Sequence, residues 1–179
     1  MLLTVCLVGL ACSATTPPVL IEAEAFDDTG GGVIDQQFMD LMGSPYLLAH
    51  GLGSPVEDAE HTLATEPGQV RAWVRTRNWV APWNTPEKTL PAPGRFQVLV
   101  DGIPLDVTFG TSGEPWLWHD GGVVELGDST TIGLRDLTGF DGRCDAILLS
   151  SDLSWQPPDE PGALAEFRDS HRRPREEME

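Results

Sequence analysis

An all-β jelly-roll sandwich of two antiparallel sheets is the fold this sequence predicts, and three observations carry it. Its apolar runs are short. They are separated by turn-forming clusters, among them Asp28-Thr29-Gly30-Gly31-Gly32, Glu66-Pro67-Gly68, Ala92-Pro93-Gly94, Asp101-Gly102, Asp120-Gly121-Gly122 and Asp141-Gly142. Gly supplies positive φ, Pro fixes φ and Asp bonds its own backbone, so each cluster reverses the chain for a local reason. The third observation is alternation: in Gln69-Val70-Arg71-Ala72-Trp73-Val74-Arg75 the residues Val70, Ala72 and Val74 share one face, and Arg71, Trp73 and Arg75 share the other. Many short strands spaced by such turns build a sandwich or jelly roll.

In chain order, strands are predicted at residues 19–25, 46–50, 69–77, 95–101, 105–109, 123–126, 130–136 and 144–150. One short helix is predicted at 35–42, where Phe38, Leu41 and Met42 recur at helical spacing. Residues 19–152 thus make one β-domain, of ordinary single-domain size. Beyond it, Trp155-Gln156-Pro157-Pro158-Asp159-Glu160-Pro161 has the composition of a stiff linker, residues 163–169 can form a short helix, and 171–179 is nearly all charged or polar. Residues 153–179 are therefore expected to be a Pro-rich linker and charged tail.

At the other end, Leu2 to Ala11 is an apolar run followed by Cys12-Ser13-Ala14. It is too short to span a bilayer and suits a secretory signal at 1–14. Gly9-Leu10-Ala11-Cys12 also resembles a bacterial lipoprotein processing box, with Cys12 as the lipidated residue. The expectation is an exported protein: periplasmic, extracellular or anchored to the outer membrane. Of the three cysteines, Cys6 and Cys12 fall in this segment. Cys144 alone stays in the β-domain, as a small buried hydrophobe, with no disulfide framework.

Net charge is −17 over 179 residues. Nucleic acids and anionic lipid surfaces both select Lys/Arg clusters, so this balance argues against them. It suits cations and neutral ligands. Two chemistries follow from particular residues. First, in a strand Glu22 and Glu24 lie side by side, and such like charges call for a cation between them. Calcium, which takes oxygen ligands from carboxylates and carbonyls, would serve, with Asp145 as a third carboxylate from the last strand. A solvated strand face is the alternative. Second, Trp79, Trp83, Trp116 and Trp118 stand in or near loops, with Arg77, Asn78, Asn84 and His119 beside them. Flat indoles stack on sugar rings and planar polar groups bond their hydroxyls. The same indoles can instead plug the sandwich, and Trp116-Leu117-Trp118 suits a ligand platform and a core pair equally. His50, His119, Asp58 and Asp120 do not add up to a hydrolase: there is no nucleophile elbow and no HExxH motif.

Ile21-Glu22-Ala23-Glu24, together with Cys144-Asp145-Ala146-Ile147, resembles the first and last strands of galactose-binding-like jelly rolls, specifically carbohydrate-binding modules of families 6 and 35. That resemblance implies a structural calcium held by Glu22, Glu24 and Asp145. Four further segments are similar to a narrower group: Val33-Ile34-Asp35-Gln36-Gln37-Phe38, Met42-Gly43-Ser44-Pro45-Tyr46 through Gly53, Val74-Arg75-Thr76-Arg77-Asn78-Trp79, and Asp136-Leu137-Thr138-Gly139-Phe140-Asp141-Gly142-Arg143. This is the golvesin and xanthan-lyase type of carbohydrate-binding-like domain attached to bacterial secreted FAD-dependent oxidoreductases. Gly30-Gly31-Gly32 lacks the dinucleotide-binding spacing, so no FAD site is expected in this chain. The resemblance implies a non-catalytic module binding polysaccharide or glycan, and the residues read above make Asn78, Trp79, Trp83, Asn84, Trp116 and Trp118 its candidate ligand contacts. An accessory or substrate-docking domain of a flavin-dependent or polysaccharide-degrading enzyme is the alternative, and a structural cell-surface domain is the third reading.

Overall fold

The computed structural model describes residues 16–78, 93–112 and 115–171. Among these residues ten strands are formed: β1 (Val19–Glu22), β2 (Gly32–Asp35), β3 (Tyr46–Ala49), β4 (Ala59–Ala64), β5 (Gly68–Thr76), β6 (Phe96–Val100), β7 (Ile103–Phe109), β8 (Leu117–Leu126), β9 (Ser129–Asp136) and β10 (Gly142–Ser150). Two helices, α1 (Met39–Met42) and α2 (Pro161–His171), accompany them. The strands pair antiparallel into two sheets. One has the order β2-β3-β10-β5-β8 with β1 also on β10, and the other has the order β4-β9-β6-β7. The predicted sandwich is the observed one.

Ile21, Val74, Phe96, Val98, Phe109, Ile132 and Ile147 meet between the sheets as one buried cluster. The alternation in β5 decides its orientation: Val70, Ala72 and Val74 enter this core, while Trp73 joins a second cluster on the outer face. The Asp101-Gly102 turn closes a two-residue hairpin between β6 and β7, with Val100 opposite Ile103. Both turn residues have positive φ, 51° and 79°, as a type I′ turn requires.

Strand β10 organises the first sheet. Its far side is flanked by β5, and its near side is shared end to end, with β3 along residues 142–144 and β1 along 146–149. Register shifts between Cys144 and Ala146, so Asp145 sits in a bulge facing the break between β1 and β3. Every residue of β10 is buried. A strand buried on both faces needs a layer on each side of its sheet.

Several expectations are corrected. The first strand ends at Glu22, and Ala23–Ala25 turns into a single 3-10 turn, so Glu22 and Glu24 are not neighbours on one strand face. Asp120-Gly121-Gly122 is not a turn but a bulge inside the long strand β8. There Gly122 has φ 88° and its amide donates to the Asp120 carboxylate at 2.9 Å. Strands β2 and β4 were not expected. The short helix expected at 163–169 is formed as α2, residues 161–171, and it packs on the sandwich with Leu164 and Arg168 buried.

Candidate functional site

The three acids expected to share a calcium ion stand at the break between β1 and β3, and arginines reach them there. Asp145 is fully buried. Its Oδ2 accepts from Arg75 Nη1 at 2.7 Å and from Arg168 Nη2 at 2.5 Å, and its Oδ1 accepts from the Ser44 hydroxyl at 3.2 Å. Burial raises the Asp145 pKa, and the guanidinium groups of Arg168 and Arg75 pull it back. Glu22 Oε2 accepts from the same Arg168 Nη2 at 3.2 Å. Glu24 stands apart: its buried Oε2 has no hydrogen-bond partner, and burial, aided by the Glu22 charge, pushes its pKa up to about 8. Among the described residues, no three acidic, histidine or cysteine side chains converge as a metal-ligand set. At the position expected for calcium, the Arg168 guanidinium bonds both Glu22 and Asp145.

Arg168 arrives on α2, and sequence reasoning missed it. Leu164, Phe167, Arg168 and His171 recur at i, i+3, i+4 and i+7, which is one face of a helix. Pro161 begins that helix, at a position where its missing N–H costs nothing. The signal was present, but an arginine in an apolar seam reads as tail charge unless a buried acid awaits it.

The stretch leading to α2 closes the outer face of the first sheet. Trp73, Trp118, Ala146 and Leu148 form a buried cluster with Leu164, against which Leu20, Trp155 and Phe167 also pack. Trp155 lies 5.7 Å from the Phe167 ring. Arg71 Nη1 donates to Leu153 O at 2.7 Å. The backbone N–H of Trp118 donates to Asp159 Oδ1 at 3.0 Å, and its indole N–H donates to Pro158 O at 3.2 Å. This strap covers the edge strand β8 as well as the sheet face. Trp118, expected to meet a ligand, is instead held beneath it. His119, next along β8, is half-buried, and burial lowers its pKa, which favours the neutral ring.

A second cluster lies further along the same face. Trp116 is buried with Met42, Tyr46 and Leu48, its ring 5.0 Å from Tyr46 and 6.1 Å from Phe38. It is a core residue, which corrects the ligand-binding expectation for it. Arg77 lies over the Phe38 ring at 4.5 Å, and both residues are half-buried at the border of this cluster. Asn78 follows Arg77 and donates to Thr111 O at 3.4 Å. Trp79, Trp83 and Asn84 lie outside the described residues.

The loops at this end of the sandwich are tied to one carboxylate. Asp136 accepts from the backbone N–H groups of Val56 at 3.1 Å, Thr138 at 3.0 Å and Gly139 at 2.9 Å. Gly139 has φ 72°, and a Cβ there would come within 2.3 Å of the Ser54 backbone, so only glycine fits. Arg143 Nη1 donates to Asp141 O at 2.7 Å, and its Nη2 lies 3.6 Å from the Asp141 carboxylate. His50 Nδ1 lies 3.0 Å from the Asp141 carboxylate, which fixes the ring in its loop.

No family model and no curated protein matches this sequence. Solved structures do resemble it. The Podospora anserina GH26-CBM35 β-(1,4)-mannanase is 18% identical with a TM-score of 0.56, over 79% of this chain and 29% of that one. A family 35 carbohydrate-binding module from an environmental isolate is 18% identical with a TM-score of 0.51, over 75% of this chain and 93% of the module. The CBM36-1 domain of a multidomain xylanase from the hindgut metagenome of Trinervitermes trinervoides is 13% identical with a TM-score of 0.50, over 74% of this chain and 96% of the domain. This protein has the β-sandwich fold of carbohydrate-binding modules. At these identities the likeness concerns the fold, and the chain spans less than a third of the mannanase that heads the comparison.

Proposed function

We propose that this chain is a non-catalytic carbohydrate-binding module of an exported bacterial protein, and that it binds glycan at the loop end of the sandwich rather than on a sheet face. The observation that carries the reading is the fold match to carbohydrate-binding module structures over nearly their whole length. Placement at the loop end rests on two further facts. The outer face of the first sheet is filled by the chain's own strap. At the loop end, Arg77 lies over the half-buried Phe38 ring and Asn78 follows it in the chain, which brings a flat apolar surface and planar donors to one stretch. A sugar offers C–H patches and hydroxyls together, and such a border matches both. Trp79, Trp83 and Asn84 follow Asn78 in sequence and extend the proposal along the chain. The catalytic partner of such a module would be a polysaccharide-degrading or flavin-dependent domain, as the sequence resemblance implies.

Binding to soluble mannan, xylan and galactan, followed by affinity electrophoresis and calorimetry, tests this. Retardation by at least one glycan is expected. Asn78→Ala and Trp79→Ala should each weaken it by roughly tenfold, the equivalent of about 1.4 kcal/mol, with circular dichroism unchanged. Absence of binding across a broad glycan array would refute the module reading. Undiminished binding by both variants would move the site away from the loop end.

A further inference from the structure

The acidic corner at the break between β1 and β3 meets an internal cation. We infer that the Arg168 guanidinium is the resident cation of this corner, so that α2 takes the place of a metal ion in tying β1, the entry to β3 and the bulge of β10 together. Four observations converge. First, the two Nη groups of Arg168 carry four N–H donors, and four acceptors face them. Nη1 donates to Met42 O and to the Ser44 hydroxyl, and Nη2 donates to Glu22 Oε2 and Asp145 Oδ2. These acceptors come from β1, the end of α1, the residue leading to β3, and β10, so one side chain joins four places in the chain. Second, Arg168 is only 2% exposed. A guanidinium ion so placed is held by its ion pairs, because an unpaired buried charge is strongly unfavourable. Third, the paired charges match: the carboxylates of Glu22 and Asp145 face the guanidinium groups of Arg168 and Arg75, while the Glu24 carboxyl stands outside these pairs. Fourth, the planar fork of arginine suits this divided set of oxygens, whereas calcium needs six to eight oxygens around one point.

An ion and this helix would exclude each other. For a metal to reach Asp145 Oδ2, the Arg168 guanidinium must withdraw from it. The consequence is a fold that stands without divalent cations.

Thermal unfolding of the full chain, followed by circular dichroism in chelator and in millimolar calcium chloride, tests the inference. The wild-type midpoint should be the same in both, within about 1 °C. Arg168→Met keeps the stem but removes the charge, and it should lower the midpoint by about 10 °C in both buffers, from the cost of breaking a buried ion pair in a domain of this size. Arg168→Lys should lose less, since it keeps the charge and loses the fork. Arg135→Met breaks a half-exposed surface pair with Asp58 and should lower the midpoint by much less than Arg168→Met. An Arg168→Met chain that does not fold counts with the large loss. A wild-type midpoint that falls in chelator or rises in calcium would overturn the inference by showing a resident metal. An Arg168→Met midpoint equal to wild type would overturn it by showing that the guanidinium ties nothing.

Discussion

Replacing Leu164 by alanine separates a docked helix from a loose tail. Leu164 is 2% exposed and belongs to the cluster of Trp73, Trp118, Ala146 and Leu148. Truncating a fully buried leucine removes its transfer free energy and leaves a cavity, together about 2–5 kcal/mol. Here the loss has a ceiling. Helix α2 is joined to the sandwich by a strap and can lift off as a unit, so the cost of Leu164→Ala cannot exceed the free energy with which α2 docks. About 3 kcal/mol is expected on that ground, or roughly 6–12 °C in the midpoint of a domain of this size. Glu166→Ala, on the exposed side of the helix, is the control and should stay within about 0.5 kcal/mol of wild type. Urea titration followed by tryptophan fluorescence supplies the numbers, and native-state hydrogen exchange of the α2 amides shows where the loss falls. If Leu164→Ala matches Glu166→Ala, α2 is not docked in solution and the outer face of the first sheet lies open.

Asp136→Ala removes one acceptor from three backbone donors in two loops and should cost about 3 kcal/mol; a melt within 0.5 kcal/mol of wild type would show that those loops hold without it. Burial, and then the neighbouring Asp145 charge, push the Cys144 thiol well up, so an aromatic disulfide reagent should label it only after unfolding in guanidinium chloride; fast labelling of the native chain would contradict its placement. Glu24 has a folded pKa raised to about 8 from 4.5, so the native state holds its proton more tightly than the unfolded chain does. Stability from this group is full below about pH 4.5 and is lost as pH rises toward 8. Glu24→Gln should flatten that part of the midpoint-against-pH curve, and an unchanged slope would count against the burial of its carboxyl.

Much of the sandwich was legible because its signals are local. The alternation in β5 fixed which side faces the core, and Asp101-Gly102 announced a hairpin that the register confirms. Elements whose cause is distant were not legible. The bulge in β8 looks like a turn, because Gly-rich segments serve both purposes and only the pairing with β5 decides. The sequence Ala59-Glu60-His61-Thr62-Leu63-Ala64 is weak in strand formers, and it becomes β4 because β9 offers it an edge. The acidic corner was legible as a cluster of Glu22, Glu24 and Asp145 in need of a cation. The identity of that cation was not, since Arg168 lies 23 residues beyond Asp145 on a helix whose burial no short motif announces. One clue was present in β10 itself: Cys144-Asp145-Ala146-Ile147-Leu148-Leu149 does not alternate, as befits a strand covered on both faces.

The central position of β10 bears on the order in which the chain can fold. It is the last strand in sequence, yet it joins the β2-β3 hairpin and β1 on one side to the β5-β8 pair on the other. The second sheet is complete once residue 136 has emerged, whereas the first remains in three separate pieces, β1, β2-β3 and β5-β8, until residue 150. Closing it requires Val19 to find Leu149 and Tyr46's strand to find Cys144, pairings of long sequence separation with a large loop-closure cost. Folding on the millisecond-to-second scale of non-local β-proteins is therefore expected. During synthesis the unpaired edges of β3 and β5 wait for β10 with their apolar faces uncovered, and this is the interval in which the nascent chain is most exposed to aggregation.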